Sequence, residues 1–363
     1  MKAAVCYEIG KPLVVVEVDI DTPRANEVKV RVAATAICHS DIHAIRGERN
    51  AKVPFLVGHE SAGYIEEVGK NVTSVKPGDA VVVAFLGSCR RCYYCVSGYP
   101  HLCENFPFPT PENRLLNKRG QRINTVGGKV ASFAEYTIVD ESQIVRIPEN
   151  FPMDVASLLA CGVITGFGAV VNRAQVRPLS SVVVIGAGGV GLNSVQGAAI
   201  SGAYPVIAVD ISDYKLKVAR TFGATHTVRA DNKDAVKAVN KLTHGRGADY
   251  VFVTVGNAAA VEQGFAMSGP RGMTVVVGIP SLESTIILPA YLPGERVLTS
   301  TLMGSARLSV DIPILIDLYK AGRLKLDELI TNHYSLEQIN EAIESSKKEE
   351  SLRNVIMFPP GRG

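Results

Sequence analysis

The stretch Ser181-Val-Val-Val-Ile-Gly-Ala-Gly-Gly-Val-Gly191 decides the architecture of the middle of the chain. Residues 181–185 form a continuous apolar run, the pattern of a parallel strand covered on both faces. Gly186, Gly188 and Gly191, with Gly189 and Val190 between them, then match G-x-G-x-x-G, and a helical pattern continues from 190 to 201. The hexapeptide alone is a weak signal. Between a strand and a helix it gains force, because the glycines then make a tight turn, admit a pyrophosphate to the helix N-terminus and let the helix pack close to the sheet. Asp210 follows at the end of the next apolar run, 22 positions after Gly188. A carboxylate there accepts from both ribose hydroxyls and repels a 2′-phosphate, which favours NAD over NADP.

Outward from this turn, strands at 205–209, 249–253 and 273–277 alternate with a helix at 213–222, the layout of a doubly wound α/β domain. The first hundred residues read differently. Short β-type runs at 28–32, 62–68 and 80–84 are separated by Gly and Pro turns such as Lys76-Pro-Gly-Asp79. Residues 106–128 read as a long functional loop carrying Arg114, Lys118, Arg119 and Arg122. In the tail, Ser335-Leu-Glu-Gln338 is a capping box opening a helix to about residue 348, and 354–358 is a closing strand. Such a tail returns to complete the first domain. The expected division is a catalytic domain of residues 1–162 and 305–363 and a coenzyme domain of residues 163–304.

The bulk numbers fit two ordinary globular domains: 363 residues, 47% apolar, 20% charged and a net charge of only +3. They call for neither a nucleic acid nor a membrane partner. No secretory leader is evident at Met1, and no apolar run approaches bilayer length, so the expected location is the cytoplasm. In a reducing compartment the seven cysteines read as ligands, nucleophiles or buried packing rather than disulfides.

Four of them, Cys89, Cys92, Cys95 and Cys103, fall within fifteen residues as C-x2-C-x2-C-x7-C. Two-residue gaps let thiolates converge, a longer gap lets the fourth close a tetrahedron, and four thiolates with no open position make a structural zinc site. An iron–sulfur centre uses similar spacing, though no second cluster accompanies it. Paired histidines at finger spacing do not follow, which argues against a nucleic-acid finger.

Three further segments carry metal-competent residues: Cys38-His-Ser-Asp-Ile-His43, Gly58-His-Glu60 and Ala160-Cys-Gly162. Singly each is weak, since a lone Cys161 reads as core and a lone His59 as a hydrogen-bonded structural histidine. In order, together with the four-cysteine knuckle and the glycine-rich turn, they resemble the zinc-dependent medium-chain alcohol dehydrogenases over essentially the whole chain.

That resemblance implies a mostly-β GroES-like catalytic domain joined to a Rossmann coenzyme domain, with two zinc ions per chain and NAD. It implies that Cys38, His59 and Cys161 bind a catalytic zinc with an open fourth position. Glu60 is similar to a residue that approaches the metal transiently, and Asp41 to a carboxylate that orients His59. Cysteine rather than a carboxylate at 161 favours the alcohol over the polyol branch, and Cys6 is left as packing. Lys215, Arg353, His39, Thr165 and Ile279 match coenzyme-binding positions, Lys215 at the adenosine ribose and Arg353 and His39 near the pyrophosphate. Ser40 resembles the first acceptor of the alcohol proton, passed through the nicotinamide ribose toward His43 near solvent. Phe85 and Ile279 match apolar pocket positions, and Arg49 stands where many relatives place an aliphatic residue. With the basic loop, Arg49 suggests a mouth for an anionic substrate.

The expected activity is hydride transfer between a primary or secondary alcohol and NAD, giving an aldehyde or ketone. A dehydrogenase of S-hydroxymethyl-thiol adducts is an alternative within the same chemistry, and a non-catalytic dinucleotide-binding relative an alternative outside it. The apolar segment 297–303 resembles the edge strand that pairs across a twofold axis in the family, which implies a homodimer, with a tetramer as the other choice.

Overall fold

The fold is that of a computed structural model, which describes residues 1–107, 114–126, 130–231, 234–281, 283–291 and 293–359. The chain divides into two compact units. One comprises Met1–Cys161, Arg307–Ile316 and Leu326–Gly363, the other Gly162–Ala306 and Asp317–Lys325. The second part of the chain to return is therefore shared: Asp317–Lys325 packs with the second unit, while the last strand joins the first.

The first unit is built on two sheets. The larger runs in the order Ile144–Arg146, Ala80–Val83, Glu60–Val68, Glu27–Ala36, Arg353–Met357 and Ile330–Tyr334, with Tyr136–Asp140 also pairing to Glu27–Ala36. Its long strand Glu27–Ala36 alternates half-buried and buried residues before ending in a wholly buried stretch, the signature of a sheet with one wet face at one end. Val28, Val30, Ile65, Val81 and Val83 form a core on that sheet. A second, larger core gathers Phe55, Leu56 and Phe133 with Ile339, Ile343 and Ile356, so the C-terminal segment is locked in by burial. The tail helix is shorter than its capping box suggests: a 3-10 turn, Leu336–Gln338, precedes an α-helix that ends at Ser345.

The second unit is one parallel sheet of six strands in the order His226–Arg229, Val206–Asp210, Val182–Ile185, Ala248–Val253, Ser268–Val276 and Val297–Ser300. Val182–Ile185 lies at the centre, and the chain leaves it first to one side and then to the other. All four of its residues are at most 3% exposed, each contributing roughly 1.5–3 kcal/mol by burial. The point where the strand order reverses, at the carboxyl end of this strand, is where open α/β sheets take their ligands. The glycine-rich turn follows it directly, and the helix Gly189–Ile200 begins there.

Two expectations need correction. Met153–Ala174 winds into a continuous helical run of 22 residues whose most apolar window has mean hydropathy 1.9, so an apolar segment does reach bilayer length. That window is 78% buried in the fold, which is how a core helix is buried. Residues 106–128 are also not simply a loop. Positions 108–113 and 127–128 lie outside the described residues, but Leu115–Asn117 and Asn124–Thr125 are strands at the two ends of the five-stranded sheet.

Candidate functional site

Cys38 sits in extended conformation at the N-cap of the helix His39–Ile45, where Asp41, the third helical residue, reaches back so that Oδ2 accepts from the Cys38 N–H at 3.2 Å. The other oxygen of the same carboxylate, Oδ1, accepts from the Gly58 N–H at 3.1 Å and from His59 Nδ1 at 3.0 Å. One buried carboxylate thus ties the two segments that carry Cys38 and His59. Gly58 adopts φ +96°, and a Cβ there would lie 2.6 Å from the Phe133 backbone, so only glycine makes this turn. With Nδ1 bound to Asp41, the Nε2 edge of His59 faces Ser40, whose Oγ lies 3.4 Å away and donates to Cys38 Sγ at 3.2 Å.

The third donor arrives on the long apolar helix. Cys161 lies in a π-helical turn, Leu159–Val163, one of two wide turns in that run. Such widenings recur at functional sites because they push a side chain out of helical register. One donor atom from each of Cys38, His59, Glu60 and Cys161 lies within 4.8 Å of the others.

Electrostatics in this pocket are those of a cation site. The hydrogen bond from Cys161 holds the Cys38 thiol well below its ordinary value, against burial, with His59 and Arg353 adding to the effect. Cys161 is raised by the same bond and by burial. Burial alone would lower His59, but the charges of Asp41 and Cys38 raise it well above its ordinary value. Glu60, fully buried, is pushed up to about 7 by burial, with Arg353 opposing. Its Oε2 is held by the guanidinium of Arg353, while Oε1 is buried with no hydrogen-bond partner among the described residues. Two thiols, an imidazole ring nitrogen and an orphaned carboxylate oxygen fit a zinc ion with three protein ligands and a fourth group held in reserve.

The knuckle is a separate, local site. Donor atoms of Cys89, Cys92, Cys95 and Cys103 lie within 4.8 Å of one another around the short helix Tyr93–Val96 and the turn Pro100–Leu102. N–H groups point at the sulfurs: Cys92 N to Cys89 Sγ at 3.3 Å, Cys89 N to Cys103 Sγ at 3.2 Å and Asn105 Nδ2 to Cys89 Sγ at 3.1 Å. The Arg91 backbone N–H and Asn105 bring Cys89 down to about 6, whereas burial pushes Cys95 up to about 12. Four thiols with N–H donors to their sulfurs suit a closed thiolate site.

In the second unit the dinucleotide turn is formed as the motif requires. A Cβ on Gly191 would sit 1.7 Å from the Gly186 carbonyl oxygen, whereas one on Gly188 would meet nothing within 4 Å. Gly191, the third glycine, lets the helix pack close against the turn, and Gly188, the second, leaves room for the backbone to approach a pyrophosphate. Gly189 and Val190 open the helix, half-buried. Asp210 Oδ2 accepts from the Ala187 N–H at 2.6 Å and Oδ1 from the Ser212 N–H at 2.9 Å, so its carboxylate is fixed beside the turn. Thr254, which the sequence reading passed over, donates from Oγ1 to the Ile185 and Gly186 carbonyls, both at 2.9 Å. Thr165 has a buried hydroxyl with no partner among the described residues, Lys215 is half-buried and Ile279 is 56% exposed.

Of the remaining candidates, Phe85 meets His59 edge to face with ring centroids 5.5 Å apart, which brings it to the metal pocket. His43 stands at the last turn of its helix, paired through Nδ1 with Glu48. Glu48 was missed because a lone acid after a glycine reads as a solvated turn. His39 is exposed and Arg49 half-buried. The basic loop does not stand free: the guanidinium of Arg114 is bound by Glu27 and the Thr22 carbonyl, and Lys118 lies 3.0 Å from Asp19. Arg119 and Arg122 are exposed.

Residues 24–149 match the alcohol dehydrogenase GroES-like domain, and residues 189–321 match the zinc-binding dehydrogenase domain. The chain is 38% identical to an NDMA-dependent alcohol dehydrogenase of Amycolatopsis methanolica, across 98% of each chain. It is 35% identical to an S-(hydroxymethyl)glutathione dehydrogenase of Paracoccus denitrificans, over 98% of this chain and 99% of that one. The crystal structure of benzyl alcohol dehydrogenase from Acinetobacter calcoaceticus superposes with a TM-score of 0.92 at 32% identity, covering 99% of both chains.

Proposed function

Because the chain belongs to the zinc-dependent medium-chain alcohol dehydrogenase family, and so is a zinc-type oxidoreductase of alcohols using a nicotinamide coenzyme, we propose that its working form holds two zinc ions per chain and takes NAD. The observation that carries this reading is the meeting of Cys38, His59 and Cys161 in one pocket while Arg353 retains Glu60. Zinc supplies Lewis-acid polarisation of the substrate oxygen, and NAD supplies the hydride acceptor.

The protein's own groups do the rest. Cys38, His59 and Cys161 hold the first ion, Asp41 fixes the ring of His59 so that Nε2 is presented, and Cys89, Cys92, Cys95 and Cys103 hold the second. Ser40 Oγ, beside both Cys38 and His59, is placed to take the alcohol proton. His43 accepts it near solvent at Nε2, since Nδ1 is engaged by Glu48. Phe85 presents an apolar wall to the substrate carbon beside the oxygen. Arg353 retains guanidinium donors for a pyrophosphate after binding Glu60, with Lys215 and His39 at the coenzyme's periphery.

A thiol-adduct reading is supported by the relative from Paracoccus denitrificans, and opposed by the engagement of Arg114 and Lys118 with the chain's own carboxylates. The enzyme is best placed in the cytoplasm as a homodimer joined along the strand Val297–Ser300, the edge of the parallel sheet, where Val297 is 42% exposed, as is Leu302 just beyond the strand's end. A panel of neutral alcohols, carboxylated alcohols and S-hydroxymethyl thiols, each assayed with NAD and NADP, tests the assignment. Oxidation of neutral primary alcohols with NAD is the expected result. Turnover confined to the thiol adduct would move the enzyme to the second reading.

A further inference from the structure

Two opposing signals for the coenzyme's ribose sit side by side in the second unit. Asp210, at the end of its strand, repels a 2′-phosphate, yet its register partner on the neighbouring strand is Arg229. An arginine near that carboxylate is the group that ordinarily accommodates a 2′-phosphate. The guanidinium is already occupied. Nε and Nη2 fork onto the two oxygens of Asp231 at 3.0 and 2.6 Å, and Nη1 lies 3.1 Å from Asp213 Oδ1.

These groups share a small scaffold. Asp213 is the first residue of the helix Asp213–Thr221, whose cap, Ser212, donates its N–H to Asp210. Asp231 follows Arg229 by two positions, and the Ala230 N–H between them bonds to the Asp210 carbonyl at 2.9 Å. Two carboxylates therefore bracket one cation beside the strand that carries Asp210, and a dianionic phosphate arriving there meets net negative charge with every guanidinium nitrogen engaged. The carboxylates of Asp213 and Asp231 are 85% and 53% exposed, so each pair is individually weak and its geometry adjustable.

We propose that Asp213 and Asp231 clamp Arg229 out of service, and that this clamp, together with Asp210, sets the enzyme's rejection of 2′-phosphorylated dinucleotides. The inference rests on the NAD reading above and deepens it. It predicts a cryptic phosphate site: with the clamp neutralised, Arg229 turns to a 2′-phosphate while Asp210 remains.

Isothermal titration of the full-length, zinc-loaded protein with NAD and with NADP tests this without relying on turnover. Relieving two like charges and freeing one opposite charge should tighten NADP binding in Asp213→Asn/Asp231→Asn on the order of tenfold. Asp231→Asn alone should give part of that gain. Adding Arg229→Gln to the double variant should cancel it. If wild type binds NADP as tightly as NAD, the NAD reading and the clamp both fall. If wild type prefers NAD but the double variant gains nothing, or keeps its gain without Arg229, only the clamp falls.

Discussion

The knuckle draws its four thiols from fifteen consecutive residues, whereas Cys38, His59 and Cys161 arrive from a helix cap, a glycine turn and a widened helix far apart in the chain. The donor chemistry is nearly the same, but the support differs. Backbone N–H groups of the knuckle itself point at its sulfurs, so a few local turns define the site. The other pocket depends on Asp41 to join two segments and on Arg353, from the last strand, to restrain Glu60. A local cluster suits a closed, structural site, while a pocket assembled at long range can leave one face for substrate.

Five substitutions sharpen or break this contrast. Cys161→Ser or His59→Ala should lower turnover on the order of 10³-fold, since Lewis-acid catalysis supplies several kcal/mol, and should remove one zinc by elemental analysis with an unchanged circular dichroism spectrum. Retained turnover would break the assignment of the assembled pocket. Asp41→Asn should weaken zinc at that pocket by about 10–100-fold in chelator competition, leaving the knuckle's metal in place. His43→Gln should depress turnover near neutral pH by on the order of tenfold, with recovery on adding a small basic buffer, because general acid–base assistance by one group has at least that size. Unchanged rates would take His43 out of the proton path. Smallest in its effect on turnover is Cys92→Ser: the folded fraction should keep its rate to within about threefold while Tm drops by ~5–10 °C, as expected when a few kcal/mol of metal-linked stability is lost. A catalytic collapse in folded Cys92→Ser would erase the division between structural and catalytic sites.

How much of this was legible in the sequence follows from the same contrast. The glycine turn after 181–185 and the knuckle are written in short-range spacing, and the structure forms both as local units. The joining of Cys38 to His59 was not readable from spacing, because it runs through Asp41 and the fold of a sheet; only the ordered resemblance pointed to it. Charge partners were the least legible. Arg114 and Lys118 read as free cations in one dimension, and each meets a carboxylate that folding brings close. Residues 153–174 misled for a related reason: their apolar face is continuous because the helix is buried, and the π-helical turns that expose Cys161 leave no mark in hydropathy.

Crystallographic anomalous scattering at the zinc edge, on protein purified without added metal, addresses the central claim most directly. The account predicts two peaks per chain: one ringed by Cys89, Cys92, Cys95 and Cys103 with Zn–S near ~2.3 Å, the other touching Cys38, His59 and Cys161 with Zn–N near ~2.0–2.1 Å and a fourth position held by no protein group. A single peak at the knuckle, or a second ion with its shell closed by Glu60 in the resting enzyme, would contradict it.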